Sequence, residues 1–276
     1  MTRYIALLCV GLCLLSACEK SIPAATAPIL VQGALQMETS LLVASLDDVR
    51  ADTTGPWMFW RGTLDGHPVV VSRTRMGTAH AAAATALAIE RYHPSAIINT
   101  GTAGGHDPSL RVGDLVLGVN AVTLGAYKTP YRLAGAGSNA LAWRALDLVE
   151  RPGDADGELH EGTTTRLAGD TALLGAARRV AKTYTHGRVL EGVIGSSDIW
   201  NEELDRIAYF HRTLGTAVEE METAPAAQIA RLYHVPFLGI RAVTANVTNG
   251  GVYDAQTAAY CQDFVLHVIR VYLTRR

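Results

Sequence analysis

Cysteine is scarce where it would count. Of the four in this 276-residue chain, Cys9, Cys13 and Cys18 fall within the first eighteen residues, and only Cys261 stands beyond them. The body of the chain has no pair with which to form a disulfide, so its stability must come from a packed core. A charge excess is missing too: 24 Lys+Arg against 26 Asp+Glu leave a formal net charge of −2. That balance argues against a nucleic-acid surface, which needs basic residues to displace counterions, and no like-charge run suggests a polybasic membrane patch. The nine histidines show no His-Glu-x-x-His spacing, so no metal is expected. No Gly-Lys-Ser/Thr follows the glycine-rich stretch at 101–105. A phosphate loop of the nucleotide-triphosphatase kind is thereby excluded, and no cofactor is expected.

What is present divides into a leader and a body. Arg3 supplies a short basic start, residues 4–15 are almost wholly apolar, and Leu15-Ser16-Ala17-Cys18 closes the segment with small residues before a cysteine. The run is short for a bilayer span and has signal-peptide proportions. Its ending resembles a bacterial lipobox, which implies cleavage before Cys18 and acylation of that residue. An uncleaved anchor, or a secretory signal with an incidental cysteine, is the alternative. Residues 1–17 are therefore read as a signal peptide, 18–27 as a lipidated tether and 28–276 as one folded domain. The expected location is the periplasmic face of a bacterial cell envelope, held by acyl chains on Cys18.

The body alternates strand and helix signals. Ile29-Leu30-Val31, ending at Gly33, has the form of a buried strand. An amphipathic stretch follows at 37–49. Residues 57–64 and 68–72 form paired strands about an Asp65-Gly66 turn. Residues 78–92 are alanine-rich and helical until Pro94, and 96–100 form another buried strand. Strand-like residues follow at 112–122. The stretch 133–169 has no clear period and is read as loops. Helices are expected near 170–183, 201–211, 220–233 and 255–274, with strands at 188–194 and 235–243. This order predicts an α/β fold of one domain, with helices in two layers around a central mixed sheet.

Three segments carry candidate chemistry. Ile98-Asn99-Thr100-Gly101-Thr102-Ala103-Gly104-Gly105 is a buried strand ending in small residues, which lets a ligand approach the backbone closely. Glu219-Glu220-Met221-Glu222 places three carboxylates within four residues at the expected start of a helix. Helix-dipole capping accounts for Glu219 and Glu220. Glu222 sits among Met221 and alanines, where a buried carboxylate needs hydroxyl or N–H partners. Glu38 follows Gly33-Ala34-Leu35-Gln36-Met37 and by itself reads as a first-turn acid. His106 and His211 read as exposed or loop residues. Tyr127 to Arg132 reads either as a lid or as a turn at Pro130.

In order and wording these segments resemble the 5′-methylthioadenosine/S-adenosylhomocysteine nucleosidases and purine nucleoside phosphorylases. Val235-Pro236-Phe237-Leu238-Gly239-Ile240-Arg241 adds to the resemblance, which runs from about Ile29 to the last helix and is poor between Tyr127 and Gly169. It implies a nucleoside phosphorylase-like three-layer fold and cleavage of an N-glycosidic bond in a purine nucleoside. It also implies roles. Glu38 activates the attacking water, Glu222 holds the ribose hydroxyls, and Met221 packs on the sugar. Thr102, Ala103 and Gly104 lie beside sugar and base, Trp200 stacks on the purine, and the Asn201 backbone reads it. A homodimer is the assembly implied. The nucleosidases carry an aspartate in an Arg-Ala-x-Ser-Asp context, whereas this chain reads Arg241-Ala242-Val243-Thr244-Ala245-Asn246. Asn246 is then the expected purine-binding donor, through its amide.

Water is the expected nucleophile. The positions matching the arginines of hexameric phosphorylases are Met37 and Asn99, and Glu38 would repel phosphate. Arg73 and Arg75 keep a phosphorylase open as the second reading. The third is a non-catalytic nucleoside-binding lipoprotein, suggested by the altered Ala245-Asn246 loop.

Overall fold

The computed structural model describes residues 27–151 and 153–274, so the expected signal peptide, Cys18 and all of the expected tether but residue 27 lie outside the described residues. Strand β1 (Ile29–Gly33) is buried throughout and runs into a 3-10 turn at Gln36–Glu38 and a short helix α1 (Ser40–Ala44). The amphipathic stretch expected at 37–49 does not continue as helix. It gives way to β2 (Asp47–Thr54), which pairs with β3 (Trp57–Leu64) as a largely exposed edge strand. An exposed strand has no apolar alternation, and that is why its pattern did not announce it. Asp65 and Gly66, at φ 50° and 80°, make the expected tight turn into β4 (His67–Arg73). Helix α2 (Thr78–Tyr92) buries Ala81, Ala84, Thr85, Ala88 and Ile89, a stripe at three- and four-residue spacing, and ends at a left-handed His93 before Pro94.

The next strands build the site. β5 (Ala96–Gly105) is longer than expected, because the glycine-rich segment stays extended to its end. β6 (Leu115–Thr123) follows. The unreadable middle holds a small antiparallel sheet of β7 (Tyr127–Lys128), β8 (Arg144–Asp147) and β9 (His160–Glu161), and then β10 (Leu167–Ala168), which joins the main sheet. Helix α3 (Thr171–Val180) is capped by the Asp170 carboxylate, which accepts from the Ala172 and Leu173 N–H groups. β11 (Val189–Ser196), α4 (Leu204–Leu214), β12 (Thr216–Glu220), α5 (Thr223–Leu232), β13 (Phe237–Ala245) and α6 (Thr257–Leu273) complete the chain.

The main sheet is mixed. β1 lies parallel to β4 and β5, β13 is parallel to β5 but antiparallel to β6, and β12 is parallel to β11 but antiparallel to β5. Strands β5, β13, β6, β11 and β12 each pair with the next, and β12 pairs back to β5, so this part of the sheet closes on itself. Ala103, Val116, Ile194, Val218 and Val243 fill the closure. Alternation along the strands supplies two further cores. Ile29, Val31 and Ile98 pack under α1, α3 and α6, while Leu30, Val70 and Ile97 pack under α2 and α5. The result is the three-layer α/β architecture that the sequence pattern implies.

Candidate active site

One cavity gathers the carboxyl ends of β1, β5, β12 and β13 and the loop after β11. It is walled by Ala34, Glu38, Thr102 to His106, Ile199 to Asn201, Glu219 to Glu222 and Thr244–Ala245, among others. This is where an α/β sheet offers a crevice to a ligand. Glu38, Thr102, Ala103, Gly104, Trp200, Asn201, Met221 and Glu222 all line it.

Glu38 is 5% exposed and rigidly held. One carboxylate oxygen accepts from the Ala34 and Leu35 N–H groups at 2.9 and 3.1 Å, and the other from the Thr102 N–H and hydroxyl at 2.8 and 3.0 Å. These bonds tie the turn after β1 to β5. Gly101 makes room for them, since a Cβ there would lie 2.7 Å from Oε1 of Glu38. The glycine is thus required by the carboxylate and not by a turn.

The acidic cluster behaves differently from its reading as a helix start. Glu219 and Glu220 lie on β12, and only Glu222 stands at the N-cap of α5. Glu220 still serves that helix from outside, accepting from the Glu222 and Thr223 N–H groups at 3.0 and 2.9 Å. It also pairs with the fully buried Arg241 at 2.5 Å and accepts a short hydrogen bond from the Ser196 hydroxyl. Glu219 does no capping. It faces the cavity and accepts from the Asn201 backbone at 2.9 Å and side-chain amide at 2.5 Å. Of the Asn201 backbone expected to read a base, the N–H is therefore already donated to Glu219. The Leu214-Gly215 helix stop, with Gly215 at φ 71°, followed by Thr216-Ala217-Val218, is the sequence signal for the missed strand.

Glu222 accepts from the Gly77 N–H at 2.9 Å. Burial, then the nearby Glu220 carboxylate, push it up from its ordinary value of 4.5 to about 8, with Glu38 adding to the effect and Arg241 opposing it. Between those two values the unfolded chain binds fewer protons than the folded one, so stability falls as pH rises through this window. Glu222→Gln removes the penalty and keeps an oxygen for Gly77. The variant is expected to melt roughly 5 °C or more above the parent at pH 8 and level with it near pH 4. Melting curves at the two pH values decide this; no gain at pH 8 would show that the carboxyl ionises freely.

Asn246 is corrected. It is 1% exposed and does not wall the cavity. Its amide donates to the Asp107 and Leu110 carbonyls at 2.9 and 3.1 Å, and its oxygen accepts from the Thr248 N–H and hydroxyl. Both ends are spent, the amide on the loop after β5 and the oxygen on its own loop, leaving nothing for a purine. The neighbouring wall positions are Thr244, Ala245 and Val247. His106 lies in the loop after β5 but is not exposed: it is 2% exposed and lines the cavity. Residues 127–132 do not reach the cavity, and Tyr127 packs instead on Trp143 and Arg206.

Cations are the other deciding point. Among the described residues, no lysine or arginine lines the cavity. Arg73 lies over the Trp60 ring and donates to the Thr39 hydroxyl, and Arg75 donates to the Pro56 carbonyl. The one group with metal-ligand proximity among the described residues, Asp154 with Glu158 and His160, lies outside the cavity. Both of its carboxylates there already accept backbone N–H bonds.

The model of the Phosphorylase superfamily matches residues 28–266. This chain belongs to the phosphorylase superfamily. Within it, the chain is similar to the 5′-methylthioadenosine/S-adenosylhomocysteine nucleosidase of Psychromonas ingrahamii, with 30% identity over 77% of this chain and 83% of that protein. The nucleosidase of the same name from Bacillus cereus is 28% identical over 87% of this chain and 97% of its own length. Among solved structures, the Neisseria meningitidis nucleosidase of that name, in complex with methylthio-immucillin-A, superposes with a TM-score of 0.70. It shares 26% identity and covers 88% of this chain and 99% of its own. The superfamily fold thus extends over nearly all the described residues, and the acidic cavity lies inside the matched region.

Proposed function

We propose that this cavity hydrolyses the N-glycosidic bond of purine nucleosides, with Glu38 activating the attacking water and Glu222 holding the sugar hydroxyls. The chain is an N-glycosyl hydrolase, and one observation carries the choice of water over phosphate. Among the described residues, four glutamates and no lysine or arginine wall the cavity. Phosphate beside the sugar needs cationic or bidentate donors, and the Glu38 carboxylate opposes its entry.

The anchored Glu38 carboxylate suits a general base, since three backbone N–H groups fix it while the rotatable Thr102 hydroxyl can yield its place on Oε1 to the water. Glu222, short of partners without a ligand, gains them from two vicinal hydroxyls. Those hydroxyls favour its ionised form, placing negative charge near the cationic sugar of the transition state. Met221 and Ala103 supply the apolar wall for the ring, and Trp200, 73% exposed at the mouth, is placed to close over a base.

The side chains of Met37, Met76, Ile199 and Tyr253 add apolar surface, which suits a thioether at the sugar's 5′ position better than a charged group. 5′-Methylthioadenosine and S-adenosylhomocysteine, which the named relatives act on, are accordingly the substrates we propose. Exposed Trp200, Val252 and Tyr253 near this mouth favour a homodimer in which a second copy covers them. On residues 1–18 alone, we place the protein at the bacterial cell envelope, anchored through Cys18 on the periplasmic face.

The test is base release from a panel of purine nucleosides by the purified protein, with and without phosphate. Release at the same rate in both conditions is expected. Release that requires phosphate would overturn the hydrolytic reading, and binding without release would favour a receptor.

A further inference from the structure

We propose that Glu219, backed by His106, delivers the proton that the departing purine needs. This rests on the nucleosidase reading above. When the C1′–N9 bond breaks, its electron pair goes to the base, and the base leaves as a poor anion unless a proton reaches a ring nitrogen. The loop after β13 presents no acid to the cavity: Ala245 offers a methyl group, Asn246 is bonded to the Asp107 carbonyl and to Thr248, and Asp254 does not wall it. The source must therefore stand elsewhere on the wall.

The other carboxyls are committed. Glu38 accepts four hydrogen bonds and has the water to deprotonate. Glu220 is locked to Arg241 and to the start of α5. Glu222 stands close enough to Glu38 for each to oppose the other's charge, and so on the sugar side. Glu219 remains. It sits beside Trp200 and Asn201, the residues placed to meet the base, and opposite Gly104, whose missing side chain leaves the wall open.

Behind Glu219 is a histidine of unusual placement. The His106 ring is buried parallel to Phe210, at 6.0 Å and 8°, and its Nδ1 lies 2.7 Å from the Thr216 hydroxyl. Its Nε2 lies 3.1 Å from the Glu219 carboxylate without an aligned hydrogen bond to anything among the described residues. A buried ring nitrogen left unpartnered beside a carboxylate is costly for structure alone. It is useful if a proton passes between the two groups. In the reaction, Glu219 gives its proton to the purine as the C1′–N9 bond breaks. Water adds to C1′ and its proton goes to Glu38. His106, in its imidazolium form, then passes its Nε2 proton to Glu219 and is left neutral, and solvent takes the proton from Glu38 and returns one to His106. The products are neutral base and neutral sugar. Glu219 is the catalytic residue, and His106 is a positioning residue that acts through it.

The test compares two leaving groups on the full-length protein: a purine nucleoside, and 4-nitrophenyl β-ribofuranoside, whose nitrophenolate departs without a proton. Glu219→Gln is expected to lower kcat on the nucleoside about 10²-fold or more, while its rate on the nitrophenyl riboside stays within about threefold of the parent. His106→Asn is expected to lower nucleoside kcat about tenfold at unchanged KM, again sparing the nitrophenyl riboside. Retained nitrophenyl activity also shows that each variant is folded. Equal loss on both substrates would make Glu219 structural and overturn the proposal, as would an undiminished nucleoside rate. A parent protein that cleaves neither substrate would instead overturn the nucleosidase reading.

Discussion

Glu38→Gln is expected to lower kcat by about 10³-fold, while nucleoside affinity falls less than about tenfold. The substitution keeps the shape of the side chain and removes the base. Both carboxylate oxygens accept from N–H donors, so the new amide must turn its NH₂ toward one of them. The tolerable orientation leaves the oxygen to Ala34 and Leu35 and gives the NH₂ to the Thr102 hydroxyl, which can accept. The Thr102 N–H then loses its partner, at a cost of about 1–3 kcal/mol. Melting curves should be recorded beside the kinetics to separate that cost from the chemical loss. Steady-state rates together with direct binding of a nucleoside decide the matter, and parallel loss of both would remove Glu38 from the chemistry.

Arg241→Met is expected to destabilise the protein by about 3–5 kcal/mol, a fall in Tm of roughly 10 °C or more. Arg241 is 1% exposed. Its guanidinium gives Nε and Nη2 to Glu220 at 3.0 and 2.5 Å, and Nη1 to the Asn99 and Ile240 carbonyls at 2.9 and 3.0 Å. Methionine replaces the volume and leaves Glu220 as an uncompensated buried carboxylate. The double variant with Glu220→Gln should recover part of the loss, since the charge left unpaired is then gone. A single-variant loss below about 1 kcal/mol would show that solvent already reaches the pair. Arg241 also opposes the upward push on Glu222, so the variant should hold the Glu222 proton to still higher pH.

Much of the site was legible because short segments carried it. Glu38 follows a buried strand that ends at Gly33, and Met221-Glu222 opens an alanine-rich helix. Glu38 by itself reads as a first-turn acid, and the family resemblance singled it out; both residues reach the cavity. Glu219 and His106 were not legible in the same way. Glu219 lay under a capping explanation because β12 is only five residues long and its acids look like a first helical turn. His106 gives no spacing signal, since its partners Thr216 and Glu219 are more than a hundred residues away. Asn246 erred in the other direction. A donor amide at that point in the chain suggested a ligand, and the loop consumed it.

By itself, the amino-acid order determined the alternation of strands and helices and the apolar faces of β1 and β5, which follow from period and glycine placement within a few residues. The roles expected of Glu38 and Glu222 came instead from the family resemblance. Only the tertiary structure decided which side chains meet. The closure of β5, β13, β6, β11 and β12 brings His106 against Glu219 and buries Arg241 on Glu220. It also sets Asn246 against Gly105, where a Cβ would lie 2.5 Å from the amide. Which hydrogen bonds form across a sheet depends on register and closure, and these bring together residues from distant parts of the chain.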